Sequence, residues 1–236
     1  MILAAGRGKR MRPLTDDCPK PLLKVRGKPL MQWPMEALAH GGFDRLVVNT
    51  AWLGDRIERH FDRQPMLGID TQLSISYSHE GRDFGSALET AGGIVRALPL
   101  LSDMFWVLAG DVFAPDFAFT RAAFECFSAS GKLAHLWLVP NPAHNARGDF
   151  GLSPRGLALN HAEQKYTFST IALYRKALFG PPWCDVPAGN PAGIKTPLAP
   201  LLRAAMDNGQ VSAELYPGPW TDVGTPERLA QLNTTN

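Results

Sequence analysis

Strand-length apolar runs alternate with helical patterns along most of this chain, and that alternation leaves few folds open. The runs fall at 1–4, 45–49, 73–78, 105–108, 133–139 and 168–174. Between them, 29–40 carries apolar residues at Leu30, Trp33, Ala37 and Leu38 and ends at Gly41-Gly42, a sequence suited to a helix C-cap. Leu53, Ile57 and Phe61 recur at helical spacing, and 89–101 and 116–128 read the same way. Strands alternating with helices of this length predict βαβ units, hence a mainly parallel sheet with helices on both faces. The runs 45–49 and 105–108 are almost wholly apolar, as strands buried on both faces are.

Beyond about residue 140 the pattern loosens. "VPNPAHNARGDFGLSPRG" and "FGPPWCDVPAGNPAGIKTP" are rich in Pro, Gly and Asn and read as loops. Helices are predicted over 198–206 and 225–232, the latter with Thr225 as N-cap and Pro226 in its first turn. With 236 residues, no repeats and no clear linker, the chain reads as one domain. Its regular α/β half spans 1–140, and a closing half spans 141–236. No apolar run is long enough for a membrane-spanning helix, and the N-terminus lacks a signal-peptide pattern. Three widely spaced cysteines (Cys18, Cys126, Cys184) argue for free thiols in a reducing compartment, so a cytoplasmic location is expected.

Charge is unevenly placed. The net charge is +2, yet the first 28 residues hold eight cations (Arg7, Lys9, Arg10, Arg12, Lys20, Lys24, Arg26, Lys28) against two acids, Asp16 and Asp17. The remainder is weakly acidic. A nucleic-acid binder needs an extended basic face. One basic segment on an acidic body points instead to a single anion site, the alternative being a solvated basic loop.

That segment follows the first strand and contains Gly6-x-Gly8. Glycines let backbone N–H groups approach phosphate oxygens closely, and adjacent cations neutralise the charge. A Walker A loop is excluded because Lys9 is followed by Arg10, and a dinucleotide fingerprint because Met11 stands where its third glycine belongs. Read alone, the Gly-x-Gly is equally a tight strand-to-loop turn.

The whole stretch "LAAGRGKRMRPLTDDCPKPLLKVRGKPL" resembles the signature of the sugar-1-phosphate nucleotidyltransferases. "GDVF" after a buried strand and "WTDVGTPERL" near the C-terminus are similar to that family's metal-carboxylate and closing segments, in the same order. "NTAWLGDRIERHF", "ETAGGIVRALPLL" and "RGDFGL" look most like the short bacterial N-acetylmuramate α-1-phosphate uridylyltransferases of cell-wall recycling. The resemblance implies a Rossmann-like, doubly wound α/β fold of the nucleotide-diphospho-sugar transferase type, without a β-helix domain. It implies transfer of a nucleotidyl group, UMP from UTP in the first instance, to a sugar 1-phosphate with release of pyrophosphate. Magnesium is the implied cofactor, and neither nucleic acid nor a membrane is an expected partner. Because the nucleophile is already a phosphate anion, the protein needs no Ser–His or Cys–His pair, only positioning and charge neutralisation.

Roles carried over from the family fall on particular residues. Leu3, Ala4 and Ala5 line the nucleoside, and Gly6, Gly8 and Lys9 wrap the triphosphate. Arg10 meets the departing pyrophosphate, where its simpler reading is a surface cation; Arg12 braces the loop. Lys20 contacts the reacting phosphates, and its flanking prolines restrict its backbone. Asp111 and Asp222 hold magnesium, each being alternatively a turn cap. Glu89, Thr90, Gly92 and Gly93 lie along the base and sugar, where the bland reading is a helix start. Asn49, Ala51 and Trp52 end the second strand, with Trp52 read as core. Asp149 faces the sugar. Ala109 stands where close relatives carry Asn, so a substrate hydrogen bond is missing there, and 181–196 reads as an insertion near the sugar. The alternatives carried forward are a mannose-1-phosphate guanylyltransferase-like activity and a nucleotide-sensing subunit without turnover.

Overall fold

The computed structural model describes residues 1–63 and 73–234. These form two compact units, and the chain passes between them more than once. The first contains 1–87, 109–121 and 218–236, and the second contains 88–108 and 122–217.

In the first unit three parallel strands lie side by side. Ile2–Leu3 pairs with Arg45–Thr50 (Ile2 opposite Val48), and Arg45–Thr50 pairs with Ser74–His79 (Arg45 opposite Ser74). Leu46, Val47 and Val48 are buried, in keeping with the apolar run. The helices Gln32–His40 and Gly54–Arg63 fill the crossovers, the first stopping at Gly41-Gly42 and the second burying Ile57 and Phe61. The C-terminal helix Pro226–Thr234 also belongs here. A separate core of Met11, Leu23, Val25, Leu30, Phe113, Val223 and Leu229 collects residues from three distant stretches of sequence. Trp33 packs edge-on against Phe113 with centroids 5.2 Å apart.

In the second unit the strand order is Met104–Ala109, Thr167–Arg175, Ala134–Val139, Val211–Leu215. Thr167–Arg175 runs antiparallel to both neighbours, while Val211–Leu215 is parallel to Ala134–Val139. The chain is therefore α/β with a mixed, mainly parallel sheet. The helices Glu89–Ala97, Arg121–Ser130 and Leu198–Asp207 complete the regular elements. Among the described residues no helix is long and apolar enough to cross a membrane.

Two expected helices have shifted ends. The helix predicted from 116 starts at Arg121, because Phe117 and Phe119 are both buried. Burial at i and i+2 suits an extended chain, not a helix. The helix predicted over 89–101 becomes a 3₁₀ turn at Leu98–Leu100, where Pro99 supplies no N–H.

The long strand Thr167–Arg175 carries an irregularity between Phe168 and Ala172. There Thr170 has φ +65°, and its buried hydroxyl has no hydrogen-bond partner. A β-branched residue in this region is strained by about 1–3 kcal/mol. Thr170→Gly should relieve the strain at an entropic cost of about 0.5–1 kcal/mol. Thermal unfolding should then show Tm higher by about 2–4 °C. A lower Tm would show that the threonine side chain contributes more packing than its backbone costs.

Candidate active site

The site in the first unit begins where its first strand stops. Asn49 lies opposite Leu3 in the parallel pair, and its Oδ1 accepts the Ala4 N–H at 2.8 Å. Its Nδ2 donates to Glu80 Oε1 at 2.6 Å, and Glu80 is fully buried. This buried relay fixes the backbone at Ala4, where the strand hands over to the glycine-rich loop. On the other side Gly110 N–H donates to Leu3 O at 2.8 Å.

The loop turns at Gly8, which adopts the left-handed conformation (φ 66°, ψ 35°) that glycine occupies without a steric cost. A Cβ there would sit 3.0 Å from Thr15 Cγ2. Gly8 O accepts both the Met11 N–H at 2.9 Å and the Thr15 hydroxyl at 2.8 Å, and Lys9–Met11 forms one 3₁₀ turn. Met11, wholly buried, anchors the turn in the core below. Lys9 and Arg10 are left on its exposed side.

The acid Asp16 takes up two of the loop's other cations. Its Oδ1 accepts from Arg7 Nη2 at 3.0 Å and from Arg12 Nε at 2.8 Å. Those two guanidinium hydrogen bonds hold its carboxyl below the usual carboxylate range. Lys20, between Pro19 and Pro21 and only 8% exposed, donates from Nζ to Asp111 Oδ2. Arg7 and Arg12 are thus both paired within the loop segment itself.

Asp111 and Asp222 are 111 residues apart in sequence, yet their backbones meet. Val112–Phe113 and Thr221–Asp222 form a two-residue antiparallel ladder with Asp222 opposite Val112. Val223 N–H donates to Asp111 O at 2.8 Å. Arg228, in the first turn of the last helix, donates from Nη1 to both the Asp222 carbonyl and Asp222 Oδ1. A Cβ on Gly224 would lie 2.6 Å from Arg228 Nη2, so a glycine clears the way for that guanidinium. Sequence reasoning passed over Arg228, although an arginine six residues beyond an acid at a helix start was the available signal.

Gly6, Gly8, Lys9, Arg10, Met11, Lys20, Asp111 and Gly224 line one cavity of about 260 Å³. Its wall therefore mixes loop backbone, cations and one carboxylate, a composition that suits a polyphosphate with a metal ion. Among the described residues no group of three or more His, Cys, Asp or Glu gathers for a metal. The carboxylate on that wall, Asp111, is a hard oxygen donor of the kind magnesium takes, since that ion needs only one or two carboxylates and completes its shell with phosphate and water.

The other residues singled out in the sequence stand elsewhere. Ala109 ends the strand Met104–Ala109, just before Gly110. Glu89, Thr90, Gly92, Gly93 and Asp149 belong to the second unit. Glu89 is exposed and opens its helix at φ +60°. Gly92 and Gly93 are buried; a Cβ on Gly92 would meet Ile194 O at 2.6 Å. Asp149 Oδ2 accepts the Phe168 N–H at 2.8 Å and Asn145 Nδ2 at 3.2 Å, tying its loop to the neighbouring strand.

Residues 1–154 match the family model described as "Nucleotidyl transferase". The chain belongs to the nucleotidyl transferase family. It is 45% identical over 236 residues, 98% of this chain and 95% of the relative, to an N-acetylmuramate alpha-1-phosphate uridylyltransferase of Neisseria meningitidis serogroup B. Similarity is lower, 29% over 96% of this chain and 61% of the relative, to a mannose-1-phosphate guanylyltransferase catalytic subunit beta of Xenopus tropicalis. Among solved structures, a putative glucose-1-phosphate thymidylyltransferase from Bacillus anthracis superposes with TM-score 0.76 at 20% identity, over 98% of this chain and 92% of that one. That likeness supports the fold.

For a nucleotidyltransferase with this loop, Arg10→Ala should lower kcat/KM for the nucleotide by about 100-fold, equivalent to ~2.7 kcal/mol. Arg12→Ala, which removes an exposed ion pair to Asp16, should cost no more than about fivefold. Steady-state kinetics of the two purified variants checks this. A loss in Arg10→Ala as small as that in Arg12→Ala would return Arg10 to the reading of a surface cation.

Proposed function

We propose that this protein transfers the uridylyl group of UTP to a sugar 1-phosphate, N-acetylmuramic acid 1-phosphate, giving a UDP-sugar and pyrophosphate in cell-wall recycling. The observation that carries the reading is the cavity in which Lys9 and Arg10, neither held in an ion pair among the described residues, stand beside the Lys20–Asp111 pair and the Gly8 turn. The choice of base and sugar rests on the near full-length similarity to the Neisseria relative.

In this reading a phosphate oxygen of the sugar 1-phosphate attacks the α-phosphorus of UTP. A new P–O bond forms as the bond between the α-phosphorus and its bridging oxygen to the β-phosphate breaks. Pyrophosphate departs with that electron pair, so no proton need be abstracted. Arg10 and Lys9 neutralise the departing pyrophosphate. Lys20, which donates from Nζ to Asp111 Oδ2 on the cavity wall, stands where its ammonium would neutralise the reacting phosphates. Asp111 and Asp222 would hold magnesium, which when bound would supply charge neutralisation to the phosphates.

A pyrophosphate-release screen of four nucleoside triphosphates against a panel of sugar 1-phosphates tests the assignment. UTP with N-acetylmuramic acid 1-phosphate should turn over fastest. Faster turnover of GTP with mannose 1-phosphate would overturn it, and binding of UTP without turnover on any sugar would establish a sensing subunit. Asp111→Asn and Asp222→Asn should each abolish most magnesium-dependent turnover with the fold intact. Because the two act as a unit, the double variant should be little worse than the worse single. Multiplicative losses across a magnesium titration would separate their roles.

A further inference from the structure

Trp52 follows the second strand and was read from sequence as core. In the structure it is only partly buried and has two polar partners. Its indole Nε1 donates to Thr15 O at 3.0 Å. The Arg7 guanidinium carbon lies 3.7 Å from its ring centroid, a close cation–π stack. Arg7 in turn donates from Nη1 to the same Thr15 carbonyl at 2.9 Å and from Nη2 to Asp16. Arg56, on the helix that follows Trp52, donates to Asp17 O.

These contacts converge on Thr15, whose side chain is fully buried and donates to Gly8 O at 2.8 Å. A chain of single contacts therefore runs from Trp52 through Thr15 to the Gly8 turn, which sets where Lys9 and Arg10 stand. The segment bearing Trp52 is itself held in an unusual shape. Leu53 has φ +51°, and a Cβ on Gly54 would come within 2.9 Å of Thr50. We propose that Trp52, with Arg7 stacked on its face, is a positioning residue for the glycine-rich loop. It fixes the loop from outside the cavity and keeps Arg7 away from the anion that Lys9 and Arg10 neutralise. This rests on the reading of the cavity as the polyphosphate site.

The test uses the full chain and inorganic tripolyphosphate with magnesium as the probe, followed by calorimetry. Trp52→Leu removes both the ring face and the N–H, and should weaken tripolyphosphate about tenfold. KM for UTP should rise to a similar degree, while KM for the sugar 1-phosphate moves less than about twofold, since the sugar does not depend on the loop. Trp52→Phe keeps a ring for Arg7 and should fall between Trp52→Leu and the wild type. Arg7→Met should match Trp52→Leu, and the double variant should be no worse than either, because one clasp is being broken twice.

Unchanged tripolyphosphate affinity in folded Trp52→Leu overturns the proposal, as does a parallel rise in both KM values. An Arg7→Met loss that adds in full to that of Trp52→Leu overturns it too, by placing Arg7 on the phosphate. Should Trp52→Leu not fold, Trp52→Phe and Arg7→Met carry the same comparison. A wild-type protein that ignores tripolyphosphate and UTP alike would instead overturn the polyphosphate reading of the cavity.

Discussion

A ladder of two residues on each side, Val112–Phe113 against Thr221–Asp222, closes the site from both ends of the sequence. The Val223 N–H to Asp111 O bond extends it by one step. With it come Gly224 at the cavity wall, Arg228 on Asp222, and Val223 and Leu229 into the small core that also takes Met11. Burying side chains of this size is worth about 1.5–3 kcal/mol each. The packing that holds the C-terminal segment is therefore the packing that holds the glycine-rich turn. Cavity floor and cavity rim are parts of one cluster, and the chain's ends are joined by the energetics of the loop they surround.

The dense positive charge after the first strand is mostly answered nearby. Of the five cations between Arg7 and Lys20, Arg7 and Arg12 are paired with Asp16 and Lys20 with Asp111. Lys9 and Arg10 make no ion pair among the described residues and face the cavity. A charge already in an ion pair contributes little new attraction to an arriving anion. The local excess of positive charge read from composition is thus concentrated by geometry into two side chains. Lys28 illustrates the bland fate of such a cation. It bonds Glu36 and stacks 4.3 Å from the centroid of Trp33.

Most of the six apolar runs were legible as strands because they bury most of their side chains, which composition reports directly; 73–78 was legible by alternation instead, with Ser78 its one buried residue. Val211–Leu215 was not, since its alternation includes Ser212 and Glu214. Those polar groups are satisfied across the pair, Ser212 by His135 at 2.9 Å and Glu214 by the Trp137 indole at 2.5 Å. A lone sequence does not show such partners. Two-residue ladders lie below any periodicity, so the meeting of Asp111 and Asp222 was legible only through the family resemblance. Trp52 was misjudged for a related reason. Its size suggested core, whereas its function in the fold comes from one N–H and one ring face turned toward a loop far away in sequence.

The tract 181–196 shows how a segment read as an insertion acquires structural work inside its own unit. The first four N–H groups of a helix have no acceptor within it. In Glu89–Ala97, Gly92 N–H finds one in Thr196 O at 3.0 Å, while Thr196 N–H donates to Leu88 O at 3.1 Å. Asn190, fully buried, donates from Nδ2 to both Gly92 O at 3.2 Å and Ile194 O at 2.9 Å. Arg96 reaches Gly189 O at 3.0 Å from the same helix. Glu89, at φ +60°, sits at the start of this laced turn. A non-glycine residue holds such a backbone only when its surroundings over-determine it. The tract provides that over-determination from outside the helix, and the glycine at 92 exists because a side chain would meet the carbonyl of Ile194. The exposed Glu89 carboxylate is thereby presented from a fixed turn, and its position depends on the 181–196 segment as much as on the helix it opens.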